Sequence, residues 1–405
     1  MIKLNFAVLA QFIKTNQRFV VRRTDFRFFR KTGYISRKSV FRTSFAVTNI
    51  QSGFMNLEQR INLLGELGHY CLSETPAWIS AQQQAQAGNG WFTPEFMQLA
   101  IRQIAAEYLQ KDQLRQWADS YSLPAANPSP KTIGLTMAGN IPLVGFHDFL
   151  SIFIAGHRQW IKPSSRDNVL IRHLVSQLEK YDPRVTSLVT FPERLTGADA
   201  YIATGSNNSA RYFDYYFGKY PHIIRRNRTS VAILTGEESR DDLDRLADDV
   251  YLYFGLGCRN VTKLYVPEKY DFLALLEAFR RYNYLSEFSK YKHNYDYQLT
   301  ILLLNKKYYM TNESILLVEA GSPFSPISVL HYEYYRPGED PLPFLVGHQD
   351  IQCVVGQGQH LVGTASTAVT PSGALTTLVP FGRAQHPGLA DYADGVDTMQ
   401  FLSSL

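Results

Sequence analysis

The sequence predicts an α/β protein built on parallel sheet and preceded by a helical segment. Three observations carry that expectation. From Thr132 onward, short apolar strands alternate with amphipathic helices, the pattern of strands joined by crossover helices. From Met55 to about Leu123 the apolar residues keep helical spacing, and Asn127-Pro128-Ser129-Pro130 then breaks the chain. Finally, 405 residues at 45% hydrophobic and 19% charged are enough for two or three domains with a large core.

Residues 1–54 hold eleven Lys/Arg, with Arg22-Arg23, Arg27, Arg30-Lys31 and Arg37-Lys38 among them, against one acid, Asp25. The segment has no sustained helical period. Arg-rich and acid-poor, it is similar to an organelle transit peptide; it reads equally as an upstream in-frame extension of a chain starting at Met55. Helical patterning directly after that residue (Leu57, Ile61, Leu64, Leu67) favours the second reading, with residues 1–54 disordered or not native, and dispensable. The rest of the chain carries 30 basic and 35 acidic residues, so the overall charge of +5 becomes −5. That balance argues against nucleic-acid binding. No apolar run approaches the ~18 residues of a membrane span. Cys71, Cys258 and Cys353 cannot all pair and lack metal-ligand spacing, which predicts a reducing, cytoplasmic setting and no metal site.

Strands are expected at 132–137, 159–162, 187–191, 200–203 and 230–234, with helices at 141–155 and 168–180 between them. Leu243, Leu246, Ala247, Val250 and Phe254 fall on one helical face, and Val261 to Pro267 alternates like a strand. Further strands are expected at 299–304, 315–318, 327–331 and 351–355. No repeats or low-complexity segments interrupt the pattern.

Several turns carry chemistry. Gly255-Leu256-Gly257-Cys258 places a lone thiol between helix and strand, where glycine lets a ligand approach closely. Cys258 there is either a nucleophile for a carbonyl carbon or a small apolar filler of a tight turn. In Gly139-Asn140-Ile141-Pro142, Asn140 either caps the next helix or donates its amide to an oxyanion. Lys162-Pro163-Ser164, with Arg166, ends a strand where α/β sheets bind ligands, and reads as a site for ribose or a 2′-phosphate or as a solvated basic loop. Thr204-Gly205-Ser206 opens a helix whose backbone N–H groups suit a pyrophosphate. No G-x-G-x-x-G follows the first strands. Cys71 and Cys353 read as structural. His147-Asp148 is not a dyad, because adjacent residues on a helix do not face each other. The Tyr- and Lys-rich stretch 269–309 reads as packing around a substrate entrance or at a subunit contact.

In this order, the motifs resemble the aldehyde dehydrogenase superfamily over about residues 130–385. Asn140 matches its oxyanion asparagine, Lys162-Pro163-Ser164 its adenosine-ribose site, Thr204-Gly205-Ser206 its nucleotide loop, and Gly255-x-x-Cys258 its nucleophile motif. Phe324-Ser325-Pro326 and Pro380-Phe381-Gly382 resemble its late E-x-F-G-P and P-F-G-G segments. The resemblance implies two doubly wound α/β domains, one cofactor-binding and one catalytic: 55–235 with the helical segment, 236–385 with the cysteine, and a C-terminal tail at 386–405. Two departures stand out. Arg225-Arg226-Asn227-Arg228-Thr229-Ser230 lacks the family's general-base glutamate, and Ser322 replaces its cofactor-holding glutamate. A base is needed to hydrolyse an acyl-cysteine but not to exchange acyl groups with coenzyme A. With the ending Ala393-Asp394-Gly395-Val396-Asp397, the chain looks most like the LuxC-like acyl-CoA reductases.

That resemblance implies NADPH-dependent reduction of a fatty acyl-CoA to the aldehyde, with Cys258 and Asn140 catalytic. Lys162, Ser164, Arg166, Gly205 and Ser206 would bind the cofactor, with coenzyme A as leaving group. It also implies a homo-oligomer and admits an acyl-transferring protein partner. The rivals are an acid-forming aldehyde dehydrogenase using Glu237 or Glu238 as base, and a catalytically silent assembly partner.

Overall fold

The computed structural model describes residues 55–336, 338–357, 366–369 and 375–405; the expectations for 1–54 lie outside them. The described residues all belong to one compact unit. Four helices come first: α1 (Leu57–Cys71), α2 (Pro76–Gly88), α3 (Pro94–Gln103) and α4 (Lys111–Asp119). Asn56 starts α1 with a reciprocal capping box to Gln59, which supports the N-terminal patterning read after Met55. A π-helical turn, Ile104–Tyr108, continues α3, so this part of the helical run expected between Met55 and Leu123 changes pitch in its last turn.

The first sheet has β1 (Thr132–Thr136), β2 (Arg158–Lys162), β3 (Val189–Thr190), β4 (Ala200–Thr204) and β5 (His222–Arg225), all parallel, in the order β3-β2-β1-β4-β5. Helices α5 (Phe146–Ala155), α6 (Val169–Tyr181) and α7 (Asn207–Phe217) connect these strands. Ile133, Leu135, Ile161, Ala200 and Ile202 are wholly buried, as befits strands covered on both faces. The strand order reverses between β1 and β4, and the loops at their carboxyl ends diverge into a crevice there.

The second sheet contains β6 (Thr229–Ile233), β7 (Val261–Pro267), β8 (Met310–Thr311), β9 (Leu316–Glu319), β10 (Val329–Tyr335), β11 (Ile351–Gly356), β12 (Ser366–Val369) and β13 (Leu375–Pro380). Its order is β12-β13-β11-β6-β7-β10-β9-β8, parallel except for the two edge strands. Helices α8 (Arg240–Tyr251), α9 (Phe272–Phe279) and α10 (Ser289–Leu304) belong to its core, around Leu246, Leu264, Leu275 and Leu330. Sheet membership changes between Arg225 and Thr229. The last helix, α12 (Thr398–Ser403), follows the short α11 (Leu342–Leu345) and packs back on α5. No helix among the described residues is long and apolar enough to cross a membrane.

Two expectations change, and one strand appears that was not expected. Residues 299–304 are not a strand but the end of α10, whose buried face is set by Tyr291 and Tyr295; Leu304 stays 78% exposed. A short apolar run fits either state, and here the helix begun at Ser289 simply continues through it. The helix expected from Ile141 starts at Phe146, because the Asp167 carboxylate takes the backbone N–H of Leu143 (2.7 Å) and holds that residue at φ 55°. The strand at His222–Arg225 carries only two apolar residues, Ile223 and Ile224, too few to announce it.

Candidate active site

The thiol sits on a turn that the chain has to be forced into. After α8, Tyr253, Phe254 and Gly255 are all left-handed, at φ 56°, 58° and 72°. For a non-glycine residue that conformation costs roughly 1–2 kcal/mol. Packing offsets it: the Phe254 ring lies 5.1 Å from Trp91, 5.0 Å from Phe96 and 5.5 Å from Phe288, and the Tyr253 hydroxyl donates to Gln103 (3.1 Å). Asn260, wholly buried, closes the turn. Its Nδ2 faces the carbonyls of Asp249, Val250 and Leu252 at 3.1, 3.3 and 2.9 Å, and its Oδ1 accepts the Gly257 N–H at 2.8 Å.

Cys258, half-buried, stands between these supports. Its carbonyl accepts from Ser230 Oγ on β6 (3.1 Å), which also accepts the Cys353 N–H (3.2 Å). Burial pushes the Cys258 thiol up to about 11, with Arg259 and Arg225 pulling against that rise and Asp394 adding to it. In this environment the resting residue is a thiol. Cys71 and Cys353 are buried, and neither lines the cavity described next.

A cavity of about 1460 Å³ joins Cys258 to the crevice of the first sheet. Every residue singled out for the site lines it: Cys258, Asn140, Lys162, Ser164, Arg166, Gly205 and Ser206. Asn140 is not a helix cap. It follows β1 and donates Nδ2 to the carbonyl of Leu256 (2.7 Å), two residues before the thiol, which ties the carboxyl end of the first sheet's central strand to the nucleophile turn. An amide nitrogen carries two hydrogens, so that bond leaves a second donor. Ser164 packs against Gly139: a Cβ there would lie 2.7 Å from the Ser164 side chain, so only glycine lets the β1 and β2 loops meet. Ser164 Oγ accepts the Arg166 N–H at 3.2 Å. Ser206 caps α7, accepting the Ser209 N–H (3.3 Å), and the helix start opens onto the cavity with Tyr212 and Tyr216 beside it.

The basic segment 225–228 also lines the cavity, but its guanidiniums are engaged. Arg225 forms a buried pair with Asp148 (2.7 Å) and donates to the Ala393 carbonyl (2.6 Å) and Thr398 Oγ1 (2.8 Å). Arg228 reaches Asp394 at 3.3 Å. Ala393 and Asp394 are thus part of the wall, and their neighbours anchor the segment behind it: Tyr392 accepts from Trp117 (2.8 Å) and Asp397 from Tyr121 (2.7 Å). His147 and Asp148 have separate partners, the ring Nε2 of His147 going to the Leu389 carbonyl (2.9 Å). Among the described residues, Glu237 and Glu238 do not line the cavity; Glu238 instead accepts the backbone N–H of Thr235 and Gly236 in a surface turn. The stretch 269–309 contributes nothing to the cavity wall either, its Tyr282 and Tyr291 being buried in the second core. The segment Phe324-Ser325-Pro326 also stands outside the lining.

Sequence reasoning gave no site role to Asn260, Asp394 or Gln385. Asn260 had a local signal, a buried-type amide three residues after Gly257; Asp394 counted only as part of the ending 393–397, and Gln385 arrives from a distant segment with no signal.

Residues 83–281 match a family model described as acyl-CoA reductase (LuxC). Among solved structures, aldehyde dehydrogenase 21 from Physcomitrella patens in complex with succinate superposes with a TM-score of 0.59 at 12% identity, covering 86% of this chain and 84% of that one. Aldehyde dehydrogenase from Mycobacterium tuberculosis complexed with NAD+ gives 0.57 at 11%, covering 76% and 75%. Succinic semialdehyde dehydrogenase from Streptococcus pyogenes, in complex with NADP+, gives 0.53 at 14%, covering 75% and 77%. At such identities the likeness is one of fold. A search of curated proteins found no significant match.

Proposed function

From a chain with the aldehyde dehydrogenase fold and an acyl-CoA reductase (LuxC) match over residues 83–281, we propose NADPH-dependent reduction of a fatty acyl-CoA to the aldehyde through an acyl-cysteine on Cys258. The observation that carries this reading is the single cavity shared by the thiol, the Asn140 amide and the carboxyl ends of β1, β2 and β4.

The chain's own residues have three tasks. Cys258 gives up its proton and its sulfur adds to the thioester carbon; Asn140 and the Cys258 backbone N–H donate to the oxygen that becomes charged. Expulsion of the CoA thiolate, which takes a proton, leaves the acyl group on Cys258. Lys162 and Ser164 hold the adenosine ribose, Arg166 the 2′-phosphate, and the backbone at Gly205 and Ser206 the pyrophosphate. Tight packing at Gly205, where a Cβ would meet Ser209 at 2.9 Å, fits a backbone that has to be approached closely. When bound, the dinucleotide supplies hydride to the acyl carbon. Collapse of the tetrahedral adduct on Cys258 then frees the aldehyde and returns the sulfur as thiolate.

Missing from segment 225–230 is a carboxylate to activate water, and two carboxylates of the cavity wall, Asp148 and Asp394, are committed to Arg225 and Arg228. That supports exchange with coenzyme A over acid formation. The experiment is incubation with NADPH and a panel of acyl-CoAs, following NADPH loss and free-thiol release together. Cys258→Ala should abolish both acyl-enzyme and aldehyde; turnover retained in that variant refutes the mechanism.

A further inference from the structure

The walls of the cavity differ in charge. Where the loops of the first sheet and the end of α7 line it, Lys162, Arg166, Arg194, Lys219 and Arg226 stand along it. The helical segment brings a different wall: Ala100, Gln103, Ile104 and Tyr108 from α3 and its π-helical turn. Ile141, Tyr253 and Leu256 line the cavity as well, and none of these side chains is charged. The amide of Gln103 is already paired, its Oε1 accepting from the Tyr253 hydroxyl (3.1 Å) and its Nε2 lying 3.2 Å from the ring Nε2 of His386.

This uncharged wall adjoins the nucleophile turn. Tyr253, bonded to Gln103, begins the left-handed run that leads to Cys258. Ile141 Cδ1 lies 3.7 Å from where a Cβ would stand on Gly257, the residue before Cys258. The change of pitch after Gln103 sets the wall's shape. Ala100, Ile104 and Tyr108 follow one another at steps of four residues. In an α-helix that step overshoots a turn of 3.6 residues, whereas in a π-turn, with its i→i+5 bonds, it falls short. The two offsets oppose each other, so the three side chains stay in line along the cavity; a continued α-helix would carry Tyr108 further round. Such π-turns are frequent at functional sites. Ala100 and Ile104 keep 6% and 7% of their surface accessible.

We propose that this wall holds the hydrocarbon chain of the acyl group, and that Ala100 and Ile104, kept in line by the π-helical turn, select which chains enter. The inference rests on the acyl-cysteine reading above and deepens it by assigning residues to the part of the substrate that does not react. Ile141 and Leu256 are the chain's first apolar neighbours beyond the thioester, and α3 covers the methylenes further out. A charged chain would find no counter-charge on this wall. Phosphates of the dinucleotide or of coenzyme A find theirs on the first-sheet loops. Each methylene taken out of water favours binding by about fourfold. That gain is present before and during reaction alike, so it is read in kcat/KM rather than in kcat.

The test puts a reporter on the wall. In a Cys258→Ala background, Ile104→Cys offers a thiol to N-ethylmaleimide, with the parent Cys258→Ala protein as control for Cys71 and Cys353. Hexadecanoyl-CoA should slow labelling about tenfold or more, while coenzyme A alone and NADPH leave it within about twofold. Equal protection by coenzyme A, no protection by hexadecanoyl-CoA, or no labelling at all overturns the proposal. A second variant, Ala100→Phe, fills part of the wall. Displacing three methylenes should lower the hexadecanoyl-to-butanoyl ratio of kcat/KM about sixtyfold, a ratio that loss of active protein does not move. A ratio within about threefold of wild type also overturns it. Labelling needs no acyl-enzyme, so the two readings fail separately. Wild-type thiol release from hexadecanoyl-CoA without protection of Ile104→Cys strikes this inference alone, and absence of that release strikes the acyl-cysteine reading.

Discussion

The buried amide of Asn260 offers a sharp test of how the thiol is held. Replacing it by aspartate changes little in shape and everything in polarity. One carboxylate oxygen still accepts the Gly257 N–H, while the other meets the carbonyls of Asp249, Val250 and Leu252 at 2.9–3.3 Å with no hydrogen to offer. An NH₂ group can serve two of those three carbonyls, so two bonds worth about 1 kcal/mol each are lost. Adding a buried, uncompensated charge brings the expected cost of Asn260→Asp to about 3–5 kcal/mol. The loss should fall first on the left-handed turn, which is already uphill at Tyr253 and Phe254. Thermal unfolding and single-turnover acylation are the assays: Tm should drop by several degrees, and acylation should fall at temperatures where the rest of the protein is still folded. A variant within about 0.5 kcal/mol of wild type, with full acylation, would refute the claim that this amide fixes the nucleophile.

Two further outcomes concern pH. Burial pushes the Asp249 carboxyl up to about 7, against the pull of the Gly382 and Ala384 N–H groups. A folded value above the unfolded ~3.9 means stability fully present below pH ~4 and lost as pH rises through about 7, at up to roughly 1.4 kcal/mol per unit. Asp249→Asn should flatten that slope, so equal differences in Tm between the two proteins at pH 4.5 and pH 7.5 would count against it. With the Cys258 thiol near 11, only about one molecule in ten thousand is thiolate at pH 7, so alkylation by iodoacetamide without substrate should rise about tenfold per pH unit above neutrality. A plateau beginning near pH 8 would mean that Arg259 and Arg225 outweigh burial.

What could be read in the chain was what short windows encode. The strands at β1, β2, β4 and β7 announce themselves by apolar runs bounded by turns, and the motifs at their ends fall where the sheet order reverses. Residues 299–304 misled because Ile301 to Leu304 satisfy a strand's composition, while the decision was made upstream by Tyr291 and Tyr295 entering the core. The residues around Asn140 fit a cap as well as a donor, because the contact that decides between them, Asp167 holding Leu143 out of the helix, comes from 24 positions downstream of Leu143. The pairing of Asp394 with Arg228 was illegible for a plainer reason, although the segment 393–397 itself stood out: the two residues lie more than a hundred positions apart, and no periodicity records such a meeting.

The hold of residues 393–398 on Arg225 makes the reactive centre sensitive to damage far from it. Two acceptors of that guanidinium, the Ala393 carbonyl and the Thr398 hydroxyl, stand more than 160 positions downstream of it. A backbone cut just before residue 393 would leave every strand of both sheets in place and still strip a buried cation of those partners. Clipping there should therefore be felt at the thiol before it is felt in the sheets.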